Sequence, residues 1–297
     1  MAVRAASHAG SWYNSNGREL DKQLEQWLDE SVLSHGPAKA IISPHAGYAY
    51  CGACAAYAYR QISPVLVKKI FILGPSHHYR MSGCGLSTVD RFATPLYDLR
   101  VDKQVYDELL ATRHFEQLSI GVDQNEHSLE MQLPYVAKVM EDYKNEFTIV
   151  PVMVGSLSAA KEELYGEIFA KYLADPTVLF VISSDFCHWG ARFNYTFYDK
   201  TMGNRIHECI TKLDRLGMDT VERLDASAFH KYLRKYSNTI CGRHPIGVLL
   251  HAVAALRKAS PPPPPMSLKF LKYAQSSQCL HASDSSVSYA SASLVFE

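Results

Sequence analysis

Three short apolar runs in this chain each break off at a turn signal and are then followed by histidine, and that repetition leaves few architectures open. Residues 69–73 stop at Gly74-Pro75 and lead into Ser76, His77 and His78. Residues 40–42 stop at Ser43-Pro44 and lead into His45. Residues 178–182 stop at Ser183, Ser184 and Asp185, with His188 three positions further on. Runs of this length, rich in β-branched residues and bounded by breakers, predict buried strands. In an open α/β sheet, ligands bind in the crevice outside the strand carboxyl ends, so three such strands would deliver their imidazoles to one place.

The segments between these runs supply the helices such a sheet needs. Asn16 is placed to cap a helix in which Leu20, Leu24, Trp27 and Leu28 form one apolar face, with Gly36-Pro37 as its stop. Residues 48–60, rich in Ala and Tyr, read as a helix returning over the sheet, which gives the strand–helix–strand order of a parallel crossover. Asp102 is a cap for a helix carrying Val105 and Leu109, after an irregular edge at residues 94–99. Glu126 and Glu130 stand four apart, on one face of a predicted helix beside His127, and Pro134 implies a kink or a late helix start. Residues 148–155 form another strand, whose Pro151 suits a sheet edge. Ser158 starts a helix with Leu164, Ile168 and Tyr172 facing inward, closed by Asp175-Pro176.

Residues 198–236 are mostly helical, with Ile206, Ile210, Leu213, Phe229 and Leu233 at core spacing. Pro245 favours the first turn of an apolar helix over residues 246–256, so Cys241 and Gly242 lie on the turn entering it. Five prolines, Pro261 to Pro265, make a stiff surface connection before two closing strands at residues 268–273 and 286–296. No repeat or composition break divides the chain. The expectation is a single α/β domain over residues 1–297, with a central, largely parallel or mixed sheet flanked by helices.

Composition narrows the functional classes. The 297 residues carry 30 Lys+Arg and 30 Asp+Glu, a balance that recommends neither nucleic acid nor an anionic membrane surface as a partner. The first residues lack the apolar centre of a signal peptide, and no run approaches the ~18 apolar residues of a spanning helix, so a cytoplasmic protein without membrane insertion is expected. Seven scattered cysteines suit a reducing compartment. Cys51 and Cys54 form an isolated C-x-x-C, read as small residues packing a helix start in preference to a zinc or redox pair.

The histidines carry the chemistry. Neutral imidazole is a common metal ligand, and first-row ions take two or three with an anionic group. His45 and His77 are the candidate ligands, His78 a supporting neighbour, and His188 either a third ligand or a general base oriented by Asp185 and Trp189. Cys241 is the preferred anionic donor, because a thiol at a helix amino end beside Arg243 and His244 should have a lowered pKa. Asp185, Glu126 and Glu130 are competing carboxylates, and the bland reading of Cys241 is an inert buried thiol.

Five motifs then resemble one family. They are Ser-His-Ala-Gly-Ser-Trp-Tyr at 7–13, Pro-His-Ala-Gly-Tyr at 44–48, Gly-Pro-Ser-His-His at 74–78, Ser-Ser-Asp-Phe-Cys-His-Trp-Gly at 183–190 and Cys-Gly-Arg-His-Pro-Ile-Gly at 241–247. Together they are similar to the Memo family, mediators of ErbB-driven cell motility. The resemblance implies a fold like that of the class III non-haem iron extradiol dioxygenases, which hold iron with two histidines and a carboxylate. By motif, His45 and His77 match the ligand histidines, His188 the acid/base histidine, with Asp185 in the same motif, and Cys241 the carboxylate position.

A thiolate there is itself oxidisable, which argues against ring cleavage and leaves metal-dependent redox activity as the enzymatic expectation. The resemblance also implies iron or copper, a cytoplasmic location extending to the nucleus, and an effector role in receptor signalling, migration and cytoskeletal control. Its implied partners are a phosphotyrosine segment of an ErbB-type receptor or its adaptors, and cytoskeletal regulators. A metal-free phosphotyrosine adaptor, and a working Fe(II) dioxygenase or metallohydrolase, are the alternatives. Pro261 to Pro265 falls outside the family pattern and reads as a variable loop.

Overall fold

A computed structural model describes residues 2–297. Nine strands make one mixed sheet: β1 (Ala40–Ser43), β2 (Lys69–Pro75), β3 (Cys84–Ser87), β4 (Phe115–Leu118), β5 (Thr148–Val154), β6 (Val178–Ser183), β7 (His188–Trp189), β8 (Met266–Gln275) and β9 (Ser286–Phe296). Their spatial order is β7-β9-β1-β6-β2-β5-β3-β4, with β8 on β9. The four central strands, β1, β6, β2 and β5, are mutually parallel. β9 joins β1 antiparallel, and β3 joins β5 antiparallel. The three histidine-bearing strands are therefore immediate neighbours, β6 lying between β1 and β2, and all three end on the same side.

Among the described residues nine α-helices surround the sheet: α1 (Gly17–Asp29), α2 (Tyr48–Tyr59), α3 (Lys103–Ala111), α4 (Ile120–Asn125), α5 (Leu133–Val139), α6 (Ala159–Ala174), α7 (Ile206–Glu222), α8 (Ala226–Tyr236) and α9 (Arg243–Arg257). Side-chain oxygens of Asn16, Asp102 and Ser158 accept the first free amides of α1, α3 and α6 as the sequence suggests. The core is apolar on both sheet faces, with Phe71, Phe169 and Phe180 packed across β2, α6 and β6. That double coverage is why the central strands read as unbroken apolar runs without alternation. Among the described residues no helix is long and apolar enough to cross a membrane.

Several expectations move. α1 ends at Asp29, well before Gly36-Pro37. Pro151 sits on β5, an interior strand, opposite Ile72 of β2. Its carbonyl accepts Tyr106 Oη at 2.6 Å, so the imide nitrogen also points away from β2. On that side β3 pairs β5 only over Val152–Val154, so no ladder bond is lost. The inward face of α6 is Tyr165, Phe169, Tyr172 and Leu173, with Leu164 and Ile168 half-buried at its margin. Glu126 and Glu130 share no α-helix, since α4 ends at Asn125 and Glu130 opens a single 3-10 turn. Pro134 marks the late start of α5. Pro261 to Pro264 line a cavity of about 570 Å³ with Leu66, Val67 and Phe296, yet the proline run stays on the surface as expected, only Pro263 being half-buried.

Candidate metal centre

β1 delivers His45 two residues past its end, and the ring is buried. β2 delivers His77 in the same way, its centroid 5.2 Å from that of His45. His127 comes from the loop after α4 and stacks on His77 at 4.3 Å. One ligating atom from each of His45, His77 and His127 lies within 4.8 Å of the other two. Cys241 stands beside this trio, its Sγ 3.2 Å from His45 Nε2. Gly242 makes that approach possible. A Cβ at Gly242 would lie 2.3 Å from Ser184 Cβ and 2.5 Å from the Ser183 carbonyl oxygen, so only glycine lets the start of α9 close on the end of β6.

Hydrogen bonds fix which ring nitrogen carries the lone pair. Ser183 Oγ donates its one proton to the Ser128 carbonyl at 2.7 Å, so it accepts from His45 Nδ1 at 2.8 Å. His45 is thus the Nδ1–H tautomer, with Nε2 basic and turned towards Cys241. His77 Nδ1 donates to Glu126 Oε1 at 2.8 Å, while its backbone amide donates to Glu126 Oε2 at 2.6 Å. His188 Nδ1 lies 2.9 Å from the Phe186 carbonyl and 3.0 Å from that of Thr239, both acceptors, which leaves Nε2 basic there too. A carboxylate or carbonyl behind a ligating imidazole is the usual means of setting its orientation and basicity.

The electrostatics follow from burial. His45 is pushed well below its ordinary pKa by burial first, then by His77, His127 and His188. His127 falls to about 3 by burial and the neighbouring His77. Both rings are neutral at pH 7, as ligation requires. Burial works to raise Glu126, yet the hydrogen bond and charge of His77 override it and hold the carboxyl at about 2. The Asp185 carboxylate is buried and raised by that burial; its Oδ1 accepts the His45 amide at 2.8 Å.

Two site expectations need correction. Cys241 was expected to be acidified by the helix amino end, Arg243 and His244, but its thiol is pushed up by burial and by the Asp185 charge. Arg243 points to solvent, and His244 Nδ1 lies 2.6 Å from Glu162 Oε1, so neither compensates. Asp185 and Trp189 were expected to orient His188. Instead Asp185 bonds the His45 amide, Trp189 Nε1 donates to the Phe197 carbonyl, and the His188 ring is held by the two backbone carbonyls.

Sequence reasoning missed the support built by the amino-terminal segment. Arg4 is 1% exposed and donates to Glu130 Oε2 at 2.6 Å and to the Asp123 and Glu126 carbonyls, tying down the loop that carries His127. Glu130 also accepts from Tyr13 Oη and the His8 amide, each at 2.8 Å, and Trp12 covers His127 at 4.5 Å. Burial alone would raise Glu130, but His8 and Arg4 hold it at about 2. The signal available was the dense His-Ala-Gly-Ser-Trp-Tyr motif at residues 8–13. Cys51 and Cys54 are free, buried thiols on α2.

A profile described as Memo-like protein matches residues 4–293. The chain belongs to the Memo family. It is 57% identical over 294 residues to Protein MEMO1 of Homo sapiens, covering 99% of this chain and 98% of that one. A Danio rerio Protein MEMO1 is 57% identical over 295 residues, covering 99% and 98%. A Memo relative of Caenorhabditis elegans, Protein memo-1 homolog, is 50% identical over 289 residues, covering 97% of this chain and 81% of its own length. Among solved structures, an uncharacterised Escherichia coli K12 protein aligns with a TM-score of 0.48 at 11% identity, covering 84% of this chain and 98% of its own.

Proposed function

We propose that this Memo-family chain is a cytoplasmic effector of growth-factor receptor signalling, acting in migration and cytoskeletal control, with an iron- or copper-binding redox site. His45, His77 and Cys241 would hold the ion, and His127 is a further donor at the same point. The observation that supports this most is the set of fixed tautomers: Ser183 and Glu126 each occupy an Nδ1, so the Nε2 lone pairs of His45 and His77 are presented without rearrangement. Two imidazoles and a sulfur suit ions of the copper, zinc or thiolate-tolerant iron type. Bound there, iron or copper supplies one-electron chemistry. Asp185 positions the His45 backbone, and His188 presents a basic Nε2 able to take or return a proton.

The test is the metal content of chain purified without chelator and reconstituted with Fe(II) or Cu(I), compared with His45→Ala, His77→Ala and Cys241→Ser. Wild type should hold close to one equivalent and the variants far less. Equal, small contents in all four would sink the redox reading. Catechol ring cleavage is expected to be absent, and turnover abolished by His188→Ala would show otherwise.

A second reading, a phosphotyrosine-peptide adaptor, has one observation in its favour. A cavity of about 490 Å³ opens beside Ala46 and Gly47, just past His45, lined by Trp12, Tyr50 and Arg192. A single arginine among aromatic rings is a site for an aromatic phosphate. Peptide and metal should compete if both use the His45 side of the crevice, and additive binding would place the peptide elsewhere.

A further inference from the structure

A second group of imidazoles gathers around a buried carboxylate on the helical layer, outside the strand-end centre. Glu162 lies in the first turn of α6 and is only 4% exposed. Its Oε2 is 2.6 Å from His230 Nε2 on α8, and its Oε1 is 2.6 Å from His244 Nδ1 on α9. His251, two turns further along α9, completes the group, its ring centroid 5.9 Å from that of His230. One ligating atom from each of Glu162, His230 and His251 lies within 4.8 Å of the other two. His251 Nε2 is buried and has no hydrogen-bond partner among the described residues.

A plain hydrogen-bonded network accounts for Glu162, His230 and His244, but not for His251. A buried imidazole nitrogen without a partner calls for an explanation, and an unseen ion is one of the standard ones. The surrounding backbone is shaped for the cluster. A Cβ at Gly247 would sit 2.2 Å from Glu162 Oε2, and one at Gly166 would sit 2.5 Å from His251 Cβ. Both glycines lie where α6 and α9 face one another, so the carboxylate and the ring fill the space that side chains there would take.

We propose that Glu162, His230 and His251 form a second cation site, selective for a borderline divalent ion of the zinc type. His244 holds the other oxygen of Glu162 and sets the carboxylate's direction. Zinc takes His nitrogen and carboxylate oxygen at roughly 2.0–2.2 Å, which puts neighbouring donors of a tetrahedral site about 3.3 Å apart. Donors already gathered within 4.8 Å reach that spacing by side-chain adjustment. His230 is 25% exposed, which gives the ion an entry path and leaves room for a water as the fourth ligand. Two nitrogen donors disfavour Mg²⁺ and Ca²⁺, which take oxygen. Occupation would pin α8 to the α6–α9 pair. The site is independent of the redox reading above, sharing none of its donors.

The test uses Zn²⁺ alone, titrated into chelator-stripped full-length chain against a chromogenic competitor, with the melting temperature read in parallel. In a His45→Ala, His77→Ala, Cys241→Ser background, one equivalent of Zn²⁺ should remain and should raise the melting temperature. Adding His230→Gln should weaken that equivalent at least 30-fold and remove the thermal shift, whereas Mg²⁺ should produce none. The same His230→Gln in the otherwise wild-type chain should lower bound Zn²⁺ by one equivalent, a result that does not depend on how well the background variant folds. His251→Gln should repeat it. Zinc binding that His230→Gln leaves unchanged in both chains would overturn the proposal, as would a background protein that folds and takes up no zinc.

Discussion

The two imidazole clusters are built on opposite principles. At the strand-end centre, three adjacent parallel strands stop together, and the loops beyond them are held by buried polar partners such as Arg4, Glu126 and Ser183. His45 and His77 inherit their position from the sheet ladder and their tautomer from hydrogen bonds, while His127 and Cys241 are brought in by the loop after α4 and the turn before α9. On the helical layer, Glu162, His230 and His251 come from three separate helices and meet only because α6 and α9 approach closely at Gly166 and Gly247. A sheet end collects side chains by topology, whereas a helix crossing collects them by packing. The first should tolerate changes in distant side chains better than the second.

The sharpest way to break this contrast is to remove donors. His45→Ala with His77→Ala should weaken iron or copper binding at the strand ends by at least about 100-fold, more than the loss of a supporting partner costs. Zn²⁺ binding at Glu162 should be unaffected. Loss of both together, in a competition titration, would mean that the clusters are one linked system.

A smaller effect is expected from Glu126→Gln. The amide can still accept from the His77 backbone but no longer fixes the Nδ1–H tautomer as an anion, so affinity should fall by about 10–100-fold with His45 and Cys241 intact. Unchanged affinity would show that the strand geometry alone positions His77.

Smaller again is Gly247→Ala. The new methyl meets the Glu162 carboxylate, which must give up its bonds to His230 and His244 to move aside, so the cost in stability should be about 1–3 kcal/mol. Zn²⁺ binding at the helical cluster should nevertheless drop about tenfold while the strand-end centre changes little. Equal weakening of both would refute the distinction between topology and packing.

The last prediction concerns pH. Glu126 is held down to about 2 by His77, whereas Asp214, fully buried on α7, is pushed up to about 6 by burial, although Asn238, Tyr273 and the Cys187 amide donate to it. The signs are opposite. Glu126 binds its proton less readily when folded, so its contribution is complete above about 4.5 and is lost as pH falls towards 2. Asp214 keeps a proton in the folded state that the unfolded chain gives up near 3.8, so stability declines as pH rises from about 4 to 6 and is flat beyond, by on the order of 3 kcal/mol. Asp214→Asn should remove that decline in urea melts taken across the range, and a decline that persists would assign it to another group.

Much of the strand-end centre was visible in the chain because it depends on local signals. An apolar run, a breaker and a histidine are each local, and parallel pairing places every such ending on one side. What escaped were the long-range partners. His127 was noticed as a neighbour of two carboxylates, but its stacking on His77 depends on a loop tied to Arg4, more than 100 positions away. The raised pKa of Cys241 is not legible locally, because a helix amino end and a sequence-adjacent arginine point the other way, whereas Arg243 faces water and burial dominates. Pro151 was assigned to an edge by a rule about hydrogen bonds that the local shortness of β3 satisfies in the interior.

The sequence by itself determined the α/β class, the three histidine-bearing strands, the caps of α1, α3 and α6, and the delivery of His45, His77 and His188 to one end of the sheet. These follow from periodicity, breakers and chain direction, all of which act over a few residues. Tertiary structure decided which nitrogen of each ring is basic, that His127 joins the trio, that Cys241 reaches His45, and that Glu162 collects three histidines from α8 and α9. Those outcomes turn on distances of a few ångströms between residues far apart along the chain, and only close packing of the folded core sets distances of that kind.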